Sequence, residues 1–217
     1  IPNIQYVTSM LDKYDCMKLL EQKDLECPLT MIGTDVKRWK KFPCIVKPRL
    51  GRGSRNVCVV SSVKRFNSYL EFFGLEARDV ILQEKLEGKE YTVMMAADMN
   101  SKLRAIVPVY VKLKVGITIR AVTQSNPYVI KACKLIHEKL PSSGCYNIQG
   151  ILREDGCFMP FEINPRVSTT LCLCIAAGID PFSIYSASSS DKNWFDFRNG
   201  VSLRRNWSNF FSETKKS

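Results

Sequence analysis

The 217-residue sequence predicts an α+β fold built mainly from antiparallel sheets, on three observations. Strand-like and helix-like periodicities follow one another in irregular order, unlike the regular strand–helix alternation of a parallel sheet. The pair Asp155-Gly156 separates two runs of alternating character. That is a strong hairpin signal, because both central residues of a type I′ turn take φ > 0. The third observation is FPCIVKPRLGRGSRNVCVVSS, which reads as strand, glycine-rich loop, strand.

Residues 12–26 (DKYDCMKLLEQKDLE) predict a helix, with Asp12 as its cap and Cys16, Leu19 and Leu20 as its apolar stripe. CPLT after it is a short extended segment. Residues 44–46 lead into a turn of Gly51, Arg52, Gly53 and Ser54, and residues 57–60 lead out of it. Ser62 caps the helix VKRFNSYLEFFG, which Gly74 ends. VILQEKLEG is a short strand, and KEYTVMMAADMN, LRAIVPVYVKLK and GITIRAVT supply further strands of an antiparallel sheet. Residues 127–140 form an amphipathic helix in which His137 has a structural role. After the hairpin, residues 165–177 predict a last helix, ended by Gly178, with Cys172 and Cys174 packed inside it.

The register of the hairpin gives it chemical interest. If Asp155 and Gly156 form the turn, Glu154 faces Cys157, Gln149 faces Glu162, and Asn147 faces Asn164. Residues two apart share a strand face, so these four side chains project together, while Ile148, Leu152, Phe161 and Ile163 point the other way. One carboxylate with several amide oxygens suits a hard cation such as Mg²⁺, commonly held by one or two carboxylates plus substrate phosphates. Arg166, just beyond Pro165, adds a planar fork of donors for a phosphate or carboxylate. The same pattern also fits a solvated hairpin face. RLGRGSRNV is neither a Walker A sequence nor a dinucleotide fingerprint, since a strand follows it. A glycine loop between antiparallel strands still offers backbone N–H groups to phosphates, with Lys47 beside it, or is an ordinary flexible turn.

Bulk properties narrow the classes. A 45% hydrophobic and 10% aromatic content describes a globular chain. No apolar run approaches the roughly 20 residues that span a bilayer, and the first residues lack signal-peptide organisation. Nine cysteines without CxxC spacing and a single histidine argue against zinc sites and a disulfide framework, so a cytoplasmic location is expected. The net charge of +11 includes Lys37, Arg38, Lys40 and Lys41 around Trp39, and Arg204 and Arg205 near Trp207. Such groups suit a phosphate backbone, but also solvated helices or steering of a small anion. No nucleic-acid module accompanies them, so nucleic acid is not the expected partner.

Taken in order, FPCIVKPRLGRGS, LQEKLEGKEYTV and GCYNIQ…FEINPRVS resemble the ATP-grasp superfamily. The likeness is to its carboxylate–amine/ammonia ligase branch, which includes the large chain of carbamoyl phosphate synthetase, and it covers about residues 11–182. The resemblance implies two lobes with ATP in the cleft between them. A small lobe of about residues 12–86 would carry the loop and hinge, and a larger lobe of about residues 87–210 the metal hairpin. It implies that Lys13 and Lys47 bind phosphates and that Gly51, Gly53 and Ser54 form a phosphate lid, which Arg52 and Arg55 make unusually basic. The hinge around Glu84, Lys85 and Leu86 would read adenine, and Glu90 would hold the ribose. Gln149, Glu162 and Asn164 would bind Mg²⁺ or Mn²⁺, and Arg166 and Arg120 would act on the γ-phosphate, acyl group or substrate carboxylate.

The implied activity is ATP- and Mg²⁺-dependent, ADP-forming ligation. A small carboxylate becomes an acylphosphate that an amine, ammonia or a thiol attacks. An ATP-grasp kinase and a non-catalytic nucleotide- or RNA-binding module are the alternatives. The superfamily's substantial N-terminal domain, which helps form the acceptor site, is expected to be absent from this chain. The chain is then a fragment, a reduced member, or one whose site a partner chain or a second copy completes.

Overall fold

A computed structural model describes residues 3–51, 53–186 and 193–207. Arg52 and the last residues of the expected larger lobe, 208–210, lie outside the described residues. Two antiparallel sheets organise the chain. The smaller contains β1 (Thr30–Ile32), β2 (Cys44–Pro48), β3 (Cys58–Val60) and β4 (Val80–Glu84), in the order β1-β4-β2-β3. The larger contains β5 (Lys89–Ala97), β6 (Leu103–Val115), β7 (Ile117–Thr123), β8 (Gly144–Leu152), β9 (Phe158–Asn164) and β10 (Ser202–Arg204), in the order β10-β7-β6-β5-β8-β9.

Among the described residues, six α-helices cover these sheets: α1 (Ile4–Leu11), α2 (Lys13–Gln22), α3 (Val63–Phe73), α4 (Pro127–Lys139), α5 (Leu171–Ala176) and α6 (Pro181–Ser186). Phe66 and Tyr69 of α3 pack on the small sheet with Val46, Val60 and Leu82. On one face of the large sheet, Met10 of α1, Cys16, Met17 and Leu20 of α2, and Val129, Cys133 and Ile136 of α4 meet Val93, Ile148 and Ile163. Thus α2, which the sequence groups with the small lobe, packs into the core of the large sheet. On the opposite face, Leu173 and Cys174 of α5 and Ile184 of α6 pack on Met94, Ala96 and Val107. His137 is a structural residue, buried between the Tyr146 hydroxyl and the Ser101 carbonyl at 2.8 Å each. No helix among the described residues is long and apolar enough to cross a membrane.

The caps stand where the side chains direct them. Asp12 Oδ1 accepts from the Tyr14 and Asp15 amides, Ser62 Oγ accepts from the Arg65 amide, and Gly74 closes α3 with φ +61°. The last predicted helix is much shorter than expected. Ser168 Oγ lies 2.6 Å from Thr170 Oγ1 and accepts from the Thr170 amide, and such local side-chain bonds compete with helix propagation. Cys174 is buried there as expected, but Cys172 is exposed. The helices α1 and α6 and the strand β10 go beyond the sequence reading.

The hairpin departs from expectation twice. Its turn is not a two-residue type I′: Arg153 N donates to Cys157 O and Gly156 N to Arg153 O, and of Asp155 and Gly156 only Gly156, at φ +82°, has a positive φ. This three-residue loop moves the near-turn pairs by one, giving Leu152↔Phe158 and Gly150↔Pro160. A register shift between Gln149 and Gly150 then leaves Phe161 unpaired as a bulge and restores the expected pairs Gln149↔Glu162 and Asn147↔Asn164. Phe161 therefore turns away from the core face assigned to it, whereas Ile148, Leu152 and Ile163 remain in the core.

Candidate nucleotide site

A cleft of about 410 Å³ lies between the two sheets, within the range of small-molecule sites. Among the described residues, every residue to which the sequence assigns a site role borders it except Arg120. The small sheet forms one wall, with Ile45 and Lys47 of β2, the loop around Gly51 and Gly53, and the β4 end at Glu84, Lys85 and Leu86. The large sheet supplies Glu90, Gln149, Ile151, Glu162 and Asn164 opposite.

Three cations converge at the centre. Lys13 begins α2, and its Nζ donates to Gly51 O at 3.1 Å and lies 3.8 Å from Glu162 Oε1. The helix start is held to the end of β2 by the backbone bond from Lys13 N to Arg49 O and by the Arg49–Asp12 ion pair at 2.8 Å. Lys47 is 5% exposed and donates to Phe161 O at 3.3 Å. Burial pushes its ammonium down to about 8, with Glu162 opposing that fall and Lys13 and Lys114 adding to it. Lys114 Nζ bonds Glu90 Oε1 at 2.7 Å and Gln149 Oε1 at 3.2 Å, joining the expected ribose acid to an expected metal ligand. Lys13 and Lys47 are buried, and buried positive charge is costly unless anions share it; Glu162 and Glu90 do so in part, and phosphates are a matching ligand chemistry.

The loop and hinge frame this centre. Gly51 and Gly53 take φ of +141° and +70°, values that L side chains rarely adopt, and Ser54 follows at +56°. Glu84 anchors the hinge: its carboxylate accepts from Lys41 at 2.8 Å and from the Leu29 amide at 3.3 Å. The Lys41 bond holds Glu84 below the usual carboxylate range. Arg166 follows β9 directly, with its amide bonded to Asn164 O at 2.7 Å and its side chain exposed at the cleft.

The hairpin donors fit a divalent cation of one kind. Gln149, Glu162 and Asn164 share the cleft wall and offer one carboxylate and two amide oxygens. Among the described residues no group of three or more His, Cys, Asp or Glu could hold a metal ion. A Mg²⁺-like ion here would complete its shell with waters or phosphate oxygens, a donor set that suits a nucleotide-borne metal.

Arg120 is not brought into the cleft. It is exposed on β7 opposite Arg204, beyond register shifts that separate it from the cleft-lining Thr118. The basic segment around Trp39 offers no stacking surface either, because Trp39 is 3% exposed with its indole N–H bonded to Lys41 O. Arg205 is turned inward onto the Thr118 and Thr169 carbonyls. Sequence reading missed Lys114 and Phe161. Nothing local marks Lys114, since only the joint register of β5, β6 and β8 brings it to Glu90 and Gln149.

A glycine loop on one antiparallel sheet, facing an oxygen-rich hairpin on a second, defines the ATP-grasp class of folds. The family "ATP-grasp in the biosynthetic pathway with Ter operon" matches residues 76–204, and the chain belongs to it. Similar solved structures include N5-carboxyaminoimidazole synthetase from Staphylococcus aureus complexed with ADP, at TM-score 0.76 and 14% identity, covering 90% of this chain and 56% of that one. The biotin carboxylase domain of 2-oxoglutarate carboxylase from Hydrogenobacter thermophilus, complexed with MgADP and bicarbonate, matches at TM-score 0.72 and 14% identity, covering 93% and 51%. L-amino acid ligase from Bacillus licheniformis matches at TM-score 0.65 and 14% identity, covering 81% and 46%. The chain thus spans about half the length of these structures. No curated protein matches the sequence.

Proposed function

We propose that the chain acts as an ATP- and Mg²⁺-dependent, ADP-forming ligase that activates a small carboxylate as an acylphosphate for attack by an amine, ammonia or a thiol. The observation that carries the reading is the convergence of Lys13 and Lys47 with Gln149, Glu162 and Asn164 in one cleft. Lys13 and Lys47 hold the phosphates, and the backbone of Glu84 to Leu86 reads the adenine between Ile45 and Ile151. Glu90 takes the ribose hydroxyls after leaving Lys114. Gln149, Glu162 and Asn164 would hold Mg²⁺ against the phosphates, where the ion would neutralise charge on the transferring group. Arg166 lies at the same end and would orient the acyl oxygen. Positioning and electrostatic stabilisation dominate phosphoryl transfer, which fits a site rich in cations and without a strong base.

The two sheets correspond in this reading to a small and a larger lobe. The nine free cysteines fit a reducing cytosol. The test is Mg²⁺-dependent ADP release with a panel of carboxylates, with hydroxylamine present to trap an acylphosphate as its hydroxamate. Hydroxamate formation supports ligation, whereas a stable phosphorylated acceptor identifies a kinase. A folded chain that binds no ATP by calorimetry overturns the reading.

A further inference from the structure

Phe161 makes three contacts that no regular strand residue would make at once. The register shift on β9 leaves it without a cross-strand partner and turns its ring into the cleft. Its carbonyl accepts from Lys47 Nζ at 3.3 Å. Its ring has the Lys47 ammonium 5.2 Å and the Lys114 ammonium 6.0 Å from its centroid. Among the described residues, the hydrogen bond and the ring contact of Lys47 both involve Phe161, and no carboxylate lies within ion-pair distance of it. Two ammonium groups beside one cleft repel each other, and an aromatic ring within reach of both attracts each while adding no charge.

We infer that Phe161 is a positioning residue: the bulge brings its ring within reach of both the Lys47 and the Lys114 ammonium and its carbonyl against Lys47, so that both ammonium groups stay aimed at the space where phosphates bind. This rests on the nucleotide reading for its function, but not for its geometry. The register shifts next to Gly150, where a Cβ would lie 2.4 Å from Phe158 Cζ and 2.8 Å from Met159 O, so glycine lets the two strands close at this point. Tyr at position 161 keeps an aromatic face for the lysines, whereas Leu keeps apolar bulk and the backbone carbonyl but loses the ring.

The experiment compares Phe161→Leu and Phe161→Tyr with the parent chain in two arms. In the first, brief acetylation by acetic anhydride, read by mass spectrometry, reports the reactivity of Lys47 and Lys114 against the exposed Lys131. Phe161→Leu is expected to raise both reactivities several-fold, with Phe161→Tyr near the parent value. In the second, calorimetry in EDTA measures ATP and adenosine separately, so that the metal ligands play no part. Phe161→Leu should weaken ATP about tenfold, the scale of a desolvated cation–π contact, and leave adenosine unchanged. A purely structural role would weaken both ligands alike and would not distinguish Tyr from Leu. Unchanged lysine reactivity in a folded Phe161→Leu chain overturns the inference, and if that chain does not fold, Phe161→Met makes the same comparison. If the parent chain binds no ATP, the nucleotide reading falls while the labelling arm still decides the role of Phe161.

Discussion

Lys47 concentrates the electrostatics of the cleft in one side chain. Its folded value of about 8 lies below that of a free lysine because burial disfavours the ammonium. Bound phosphates favour the charged form, so nucleotide binding should raise this value and take up a proton. Affinity is then fully present below about pH 8 and falls as pH rises through that value, by up to about tenfold per unit until the bound-state value is reached. Calorimetry between about pH 7 and pH 9.5 should record this loss, and Lys47→Arg should flatten it because guanidinium does not titrate there. A flat profile in the parent chain would remove Lys47 from phosphate contact. Lys47 was legible in the sequence because it sits beside a glycine loop within one short segment, whereas the facing of Gln149 and Glu162 came out right only because a longer turn and a bulge offset each other. Lys114 was not legible, because its partners come from β5 and β8 and reach it only through irregular pairing of β6.

At the scale of elements, the hairpin of β8 and β9 is the most instructive piece. Its Gln149↔Glu162 register was legible although the turn type read from Asp155-Gly156 was wrong, because the longer loop and the Phe161 bulge shift β9 in opposite senses. Turn geometry is local to four residues, whereas this bulge stands beside a close approach of Phe158 to Gly150 that no turn signal marks. Gly150→Ala tests that approach. The added methyl meets the ring and a backbone oxygen, and overpacking of this kind costs about 1–3 kcal/mol. Urea unfolding should show a lower midpoint with an unchanged slope, and phosphate affinity should fall as well, since the bulge aims Phe161. Wild-type stability would mean that Phe158 moves aside freely. The helices followed a similar logic: Asp12, Ser62 and Gly74 marked ends correctly, while α5 began late because Ser168 and Thr170 bond to each other.

At the scale of the whole molecule, the nucleotide is expected to act as a bridge between two sheets that each hold half of its contacts. Lys47 and the glycine loop belong to one sheet and Glu162 with Gln149 to the other, so a ligand touching both should stabilise the chain as a unit. A ligand present at a hundred times its dissociation constant adds about 2.7 kcal/mol to folding stability. For a chain of this size that corresponds to a melting shift of about 5–10 °C. Mg²⁺-ATP should produce such a shift, and adenosine a smaller one, because adenosine lacks the phosphates that would engage Lys13, Lys47 and the three expected metal donors. Glu162→Gln removes the only carboxylate among the three expected metal donors while keeping the side chain's shape. It should abolish the Mg²⁺-dependent part of the shift and leave the adenosine part intact. Gln149→Ala in that background should add less than it does alone, because groups serving one ion are not additive. A solvated hairpin face makes the opposite forecast, since surface substitutions usually change stability by no more than about 0.5 kcal/mol and would leave the ligand shifts alone. The measurement is thermal unfolding of the four chains with and without Mg²⁺, and a full Mg²⁺-dependent shift in Glu162→Gln would sink the metal assignment.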